Sequence, residues 1–138
     1  MISASHLDLG QFIFLCYGLV SDKPICVSDR SLDCALRLLC SSASLPRWVL
    51  ERLRFADGRK GWECVVLPSI LNVSHLALLV ENCDRSFRYI RVSISRSVAV
   101  FLLRKLGLTE PMTRFYGSFI AAAIEHVKEE SGEFGRRQ

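Results

Sequence analysis

From position 64 to position 80 the chain reads CVVLPSILNVSHLALLV, without one Asp, Glu, Lys or Arg. A helix drawn through such a stretch is apolar on every side, and a helix apolar all round has to be surrounded by other elements. The run approaches the length that crosses a bilayer. Pro68, Asn72, Ser74 and His75 interrupt it, and polar groups of that kind are expensive at membrane depth. The expectation is therefore a buried central helix, kinked at Pro68, in place of a constitutive membrane span.

The remaining segments read as the layer around it. Ser5 caps a first helix over residues 5–20, with Leu9, Phe12, Ile13, Cys16 and Leu19 at helical spacing. Pro24 interrupts. Ser28 or Asp29 starts a second helix whose stripe is Leu32, Ala35, Leu36 and Leu39, and the serine cluster SSAS at 41–44 ends it. Ser44 caps a third helix with Pro46 in its first turn, where the missing N–H has no partner to lose. Trp48, Val49, Leu50 and Leu53 form its apolar side. The DGRKG corner at 57–61 reads as a helix–turn–helix junction. A long helix over 85–106 carries Phe87, Ile90, Ile94, Val98, Phe101 and Leu102, with Gly107 as its C′ residue. Thr109, Glu110 and Pro111 open a last amphipathic helix to about Lys128. The expected fold is all-α: one helical domain over 1–130 and a flexible polar tail over 131–138.

Composition removes several function classes. Half of the 138 residues are hydrophobic and 23% are charged, so the chain has the material for one globular core. The net charge is only +4 and the basic residues are scattered, so no nucleic-acid partner is expected. The six cysteines occur singly with no CxxC pair, which gives no zinc site and no cofactor. No basic n-region precedes the apolar run at 12–20, so the expected location is intracellular and reducing, and the sequon Asn72-Val73-Ser74 is incidental. There is no GxSxG, P-loop or HExxH. A cysteine–histidine nucleophile pair would need partners that meet only in the fold. The expectation is a chain that is not an enzyme.

The corner itself suggests more. Phe55, Asp57, Gly58 and Trp62, followed by the apolar stretch, resemble the first homology motif of the Bcl-2 family of apoptosis regulators. That motif runs Phe-x-Asp-Gly, then Asn-Trp-Gly-Arg, then an apolar central helix; Trp62 matches its tryptophan with one residue inserted. The segment at 5–23 resembles the family's amino-terminal homology segment. Ala35, Leu36 and Arg37 resemble its third segment, with Cys40 and Ser41 standing at Gly-Asp. Residues 91–106 have the character of its sixth helix, and Phe115-Tyr116-Gly117 resembles Leu-Tyr-Gly of the second motif. The order of these segments covers nearly the whole domain. It departs from the family in three places. The motif arginine is missing, whether Lys60–Glu63 or Gly61–Cys64 is aligned with it. Gly-Gly-Trp is absent, and the chain ends in KEESGEFGRRQ without an apolar anchor.

The resemblance implies a Bcl-2-like bundle with a surface hydrophobic groove that holds BH-3 helices of pro-apoptotic proteins such as Bim, Bak or Bax. Leu36 and Leu39 would form one wall; Val49, Leu50 and Leu53 the other; Trp62, Val65 and Val66 the floor, with Tyr116 at one end. Gly61 would let the partner backbone approach. Arg52, Arg59 or Lys60 would replace the missing arginine opposite the partner's carboxylate. The implied role is a virus-encoded anti-apoptotic protein with a narrow ligand range, cytoplasmic in the host cell and reaching the mitochondrial surface through partners. Cys40-Ser41 in place of Gly-Asp speaks against a pro-apoptotic member. A membrane-active, pore-type helical domain is the reading from another class, and an empty apolar groove also invites a homodimer.

Overall fold

A computed structural model describes the backbone of residues 2–58 and 61–137 and the side chains of residues 6–58 and 61–128. It is mixed, 58% helix and 14% strand with two antiparallel sheets, and this corrects the all-α bundle expected above. The elements in chain order are α1 (Ile2–Gly10), a π-helical turn (Gln11–Leu15), α2 (Cys16–Gly18), β1 (Ile25–Cys26), α3 (Ser31–Ser42) and α4 (Arg47–Arg52). They continue with β2 (Phe55–Gly58), β3 (Gly61–Cys64), α5 (Leu67–Leu76), β4 (Val80–Asn82), β5 (Tyr89–Val92), α6 (Arg96–Lys105) and α7 (Glu110–Arg137).

The surrounded helix is the first one, not the uncharged stretch. Phe12, Ile13, Phe14, Leu15 and Cys16 are consecutive and all fully buried. Five neighbours in a row cover every side of a helix, so other elements must enclose it. α5 packs on α1, α6 on the π-helical turn, and α7 on α2. The closest approach is at Gly117 of α7, where an added Cβ would lie 2.0 Å from the Cys16 carbonyl oxygen.

The uncharged stretch divides into three. Val65 stays 54% exposed after β3. Pro68 sits in the first turn of α5, so it opens the helix and does not kink it. α5 buries Leu67, Ile70 and Ser74, a single stripe at i, i+3 and i+7. Leu76 and Leu78 are 76% and 72% exposed, and Leu78 turns the chain with φ 61. Leu79 and Val80 then return to the core as β4 begins.

The DGRKG corner is a β-hairpin. β2 and β3 pair antiparallel from Phe55 opposite Cys64 to Gly58 opposite Gly61, and Gly61 takes φ 105, a backbone angle open to glycine. The helix expected over 85–106 starts at Arg96. Before it, β5 pairs with β1 on one side and β4 on the other, with Ile25 opposite Ile90 and Val80 opposite Val92. Ile90, Val92 and Ile94 turn inward while Arg91, Ser93 and Ser95 are exposed, the two-residue alternation of a strand.

The α3 stripe Leu32, Ala35, Leu36 and Leu39 is buried as its spacing requires. Asp29 accepts the Ser31 N–H at 3.0 Å and its hydroxyl at 2.6 Å at the start of this helix. Gly107, with φ 82, follows α6 as the C′ residue.

One buried side-chain polar atom stands without a hydrogen-bond partner among the described residues, the Ser74 hydroxyl of α5. It packs where Gly10 of α1 has no side chain. Leaving a buried hydroxyl unpaired costs about 1–3 kcal/mol. Ser74→Ala, which removes the orphan and shortens the side chain by one atom, is expected to raise the melting temperature by a few degrees. A lowered melting point in a thermal scan followed by circular dichroism would show that the hydroxyl contributes to stability.

Candidate binding groove

α3 ends where Ala43 turns to extended angles, φ −116 and ψ 153. The link Ser44-Leu45-Pro46 carries the chain to α4. Facing it are the α6–α7 corner, Leu106-Gly107-Leu108, and the first turns of α7. Two adjoining concavities lie between these walls. One, ≈ 360 Å3, is lined by the link, Trp48, the corner, Met112 and Tyr116. The other, ≈ 510 Å3, is lined by Ser42, Ala43, Ser44, Pro111, Met112, Phe115 and Tyr116. Ser44, Met112 and Tyr116 belong to both, so the two form one groove.

Tyr116 is its fixed point. The ring is buried and packs on Phe12 of the central helix at 5.3 Å between centroids. Its hydroxyl donates to the Ser44 carbonyl at 2.7 Å, which ties the link to α7. Burial pushes the Tyr116 phenol above its ordinary pKa, so it stays a neutral donor. Phe12 also meets Trp48 edge-on at 6.0 Å, so the groove is backed by the core. Along α7, Met112, Phe115 and Phe119 recur at i, i+3 and i+7, and Phe115 leaves 53% of its surface exposed. Phe115 packs on Tyr116 at 5.7 Å and on Phe119 at 6.4 Å.

The residues implied by the resemblance do not all gather there. Tyr116 lines the groove. Arg52 reaches its edge, the guanidinium 5.9 Å from the Trp48 ring. Leu36, Leu39 and Val49 have no exposed surface, and Leu53 is buried. Leu50 is exposed on α4. Gly61 and Trp62 lie on the β2–β3 hairpin, where the Arg37 guanidinium sits 4.4 Å over the Trp62 ring. Val65 is exposed and Val66 half-buried just after it. Arg59 and Lys60 lie outside the described residues. The wall and floor expected of one groove are thus divided among the core, the exposed side of α4 and the β2–β3 hairpin with the two residues after it.

Sequence reading missed Met112, Phe115, the Ala43–Pro46 link and the Leu106–Leu108 corner. The signal was present in α7. Its apolar residues cover more of the circumference than one packing face needs, so a second stripe had to remain outside.

No thiol is prepared for nucleophilic attack at Cys16, Cys34, Cys40 or Cys64. Burial pushes Cys16 up to about 12. Burial and the nearby Asp33 carboxylate push Cys64 up to about 12. Burial also raises Cys34 and Cys40. Each is a protonated thiol at neutral pH. Among the described residues, no three His, Cys, Asp or Glu side chains gather to hold a metal ion. A polar cavity of ≈ 570 Å3 beside β5 contains Glu81 and Arg91, and these pair with each other at 2.6 Å. No helix among the described residues is long and apolar enough to cross a membrane.

No protein-family model, no curated protein and no solved structure matches the chain.

Proposed function

We propose that this chain is a recognition module, not an enzyme, which holds an amphipathic helix of a partner protein in the groove between the α3–α4 link and α7. The observation that carries the reading is Phe115, half exposed on a helical apolar stripe and lining a ≈ 510 Å3 cleft with Ser42, Ala43 and Ser44 and with Tyr116, which packs on Phe12 of the core. A helix with anchors at i, i+3/i+4 and i+7 fits such a surface, because its own apolar residues repeat at the period of Met112, Phe115 and Phe119.

The class of partner comes from the sequence. The ordered segments that resemble the Bcl-2 family point to BH-3 helices of pro-apoptotic proteins, such as those of Bim, Bak or Bax. Sequestering them would inhibit apoptosis in the cytoplasm or, through partners, at the mitochondrial surface. The proposal keeps the recognition chemistry and leaves aside the all-α fold and the groove that came with it. An inhibitory role is favoured over a killing one by α3: Leu36 and Leu39, which a killer segment would have to present, lie at the centre of the core.

Titration calorimetry of the purified chain with a panel of BH-3 peptides tests the reading. One or a few peptides are expected to bind. Phe115→Glu, at an exposed position, is expected to weaken that binding by about tenfold or more while far-ultraviolet circular dichroism stays unchanged. A folded chain that binds no peptide removes the proposal, and binding indifferent to Phe115→Glu moves it away from this groove.

A further inference from the structure

The β4–β5 hairpin carries three arginines and two aromatic residues within seven positions: Arg85, Phe87, Arg88, Tyr89 and Arg91. Phe87 stands in its turn, 67% exposed, with φ 58. A left-handed backbone is costly for a bulky residue. The turn holds it there. The Asp84 carboxylate accepts the Ser86 hydroxyl and the Tyr89 N–H, the latter at 3.3 Å. The Asp84 carbonyl accepts the Phe87 N–H at 3.4 Å. Arg88 Nε donates to the Ser86 hydroxyl at 3.1 Å, and the Arg88 carbonyl accepts the Val27 N–H at 2.8 Å. The chain thus fixes an apolar ring in water, in a conformation that costs free energy. Strain that its surroundings enforce is a pointer to function.

The charges of the hairpin differ in availability. Asp84 is occupied within the turn, and Glu81 and Arg91 pair with each other at 2.6 Å. Arg85 and Arg88 are exposed and have no carboxylate within ion-pair distance among the described residues. They stand on either side of Phe87 in the chain, and Tyr89 follows, 40% exposed. Rings set among free guanidinium groups suit a ligand that offers flat π faces and negative charge in alternation. A single nucleic-acid strand offers both; a duplex hides the faces of its bases. A fluid lipid surface gains nothing from a ring held in one orientation, whereas stacking needs that fixed plane. We infer that the β4–β5 turn binds single-stranded nucleic acid, with Phe87 and Tyr89 stacking on bases and Arg85 and Arg88 pairing with phosphates. The low net charge of +4 conceals this local arrangement. None of the four residues lines the groove, so the inference is independent of the helix-binding reading.

Fluorescence anisotropy of labelled oligouridine and oligothymidine, each about twelve nucleotides long, tests this with the full chain. At low salt the chain is expected to bind the single strands and to hold a duplex of the same length more weakly. Phe87→Gly suits the left-handed backbone, so the circular dichroism spectrum and melting temperature are expected to stay near those of the parent. Binding is expected to weaken about tenfold through the lost stack. Phe87→Tyr keeps the ring and is expected to keep the affinity. Arg85→Gln with Arg88→Gln is expected to flatten the slope of log affinity against log salt by about 1.4, the share of two phosphates on a single strand. Absence of binding at low salt, a duplex bound as tightly as the single strands, or affinity indifferent to Phe87→Gly overturns the inference. Binding to equimolar phosphatidylserine–phosphatidylcholine vesicles that is lost in Phe87→Gly, with no binding of oligonucleotide, also overturns it and makes the turn a lipid contact. Each of these results leaves the helix-binding reading untouched.

Discussion

Gly117→Ala is expected to cost about 3 kcal/mol or more, the upper end of what overpacking a core does. The atom that alanine adds would stand 2.0 Å from the Cys16 carbonyl oxygen and 2.7 Å from its carbonyl carbon, with the Val20 Cγ2 methyl at 3.2 Å. A flexible side chain would swing away from such a clash. Here the obstacle is backbone, and it belongs to the most enclosed helix in the molecule. Phe12 to Cys16 have no exposed surface on any side, so the segment has no direction in which to retreat. α7 would have to lift instead. Lifting it separates Tyr116 from Phe12 and from the Ser44 carbonyl, which are the contacts that hold the groove together. Urea unfolding followed by circular dichroism gives the free energy directly. The melting temperature should fall by about 10 °C for a domain of this size. The same variant should lose peptide binding. A cost under about 0.5 kcal/mol, the range of an ordinary surface change, would mean that α7 does not cross the central helix as closely as described.

The parts of this fold that were legible in the sequence are those set by neighbours along the chain. The Leu32, Ala35, Leu36 and Leu39 stripe of α3 buries as read, and Gly107 closes α6 as read. What failed depended on which elements happen to lie alongside. The first helix looked one-sided, with Leu9, Phe12, Ile13, Cys16 and Leu19, yet Phe14, Leu15 and Tyr17 are buried as well. Only the arrival of α5, α6 and α7 around it explains that. The uncharged stretch failed in the opposite direction. Absence of charge permits burial without enforcing it, and Val65, Leu76 and Leu78 stay largely outside. At Ile90 and Ile94 the spacing of four suited both a helix and a strand. The discriminating residues were the polar ones at every second position, Arg91, Ser93 and Ser95, which alternate strictly with Ile90, Val92 and Ile94. Of the residues that line the groove, Tyr116 is the one the sequence reading named as a site residue. Its partner, the Ser44 carbonyl, lies 72 positions earlier in the chain, and local pattern carries no information about that meeting.

Asp33→Ala is expected to cost about 2–3 kcal/mol, because it strands a buried N–H. Asp33 is the buried carboxylate of α3, and its Oδ2 accepts the Cys64 amide at 2.7 Å from a residue with no exposed surface. This bond fastens the end of the β2–β3 hairpin to α3. Arg30 supports it from outside, 3.6 Å from both Asp33 and Glu63. That support is partly solvated and worth at most about 1 kcal/mol. The two contributions separate by substitution. Asp33→Asn keeps an oxygen that can accept the amide and should recover more than half of the loss, whereas Arg30→Gln should change little. The hairpin should also open locally before the domain unfolds. Trp62 lies on it under Arg37, so its fluorescence should shift at a lower urea concentration than the helical circular dichroism signal in the alanine variant. A second readout is chemical. Burial and the Asp33 charge hold the Cys64 thiol up to about 12. Removing that negative charge favours the thiolate, so the pKa must fall and labelling of Cys64 by a disulfide reagent must begin at lower pH. Unchanged stability together with unchanged labelling would mean that Asp33 neither tethers the hairpin nor acts on Cys64. A variant that unfolds in one step with Trp62 and the helices together would show instead that hairpin and α3 form one cooperative unit.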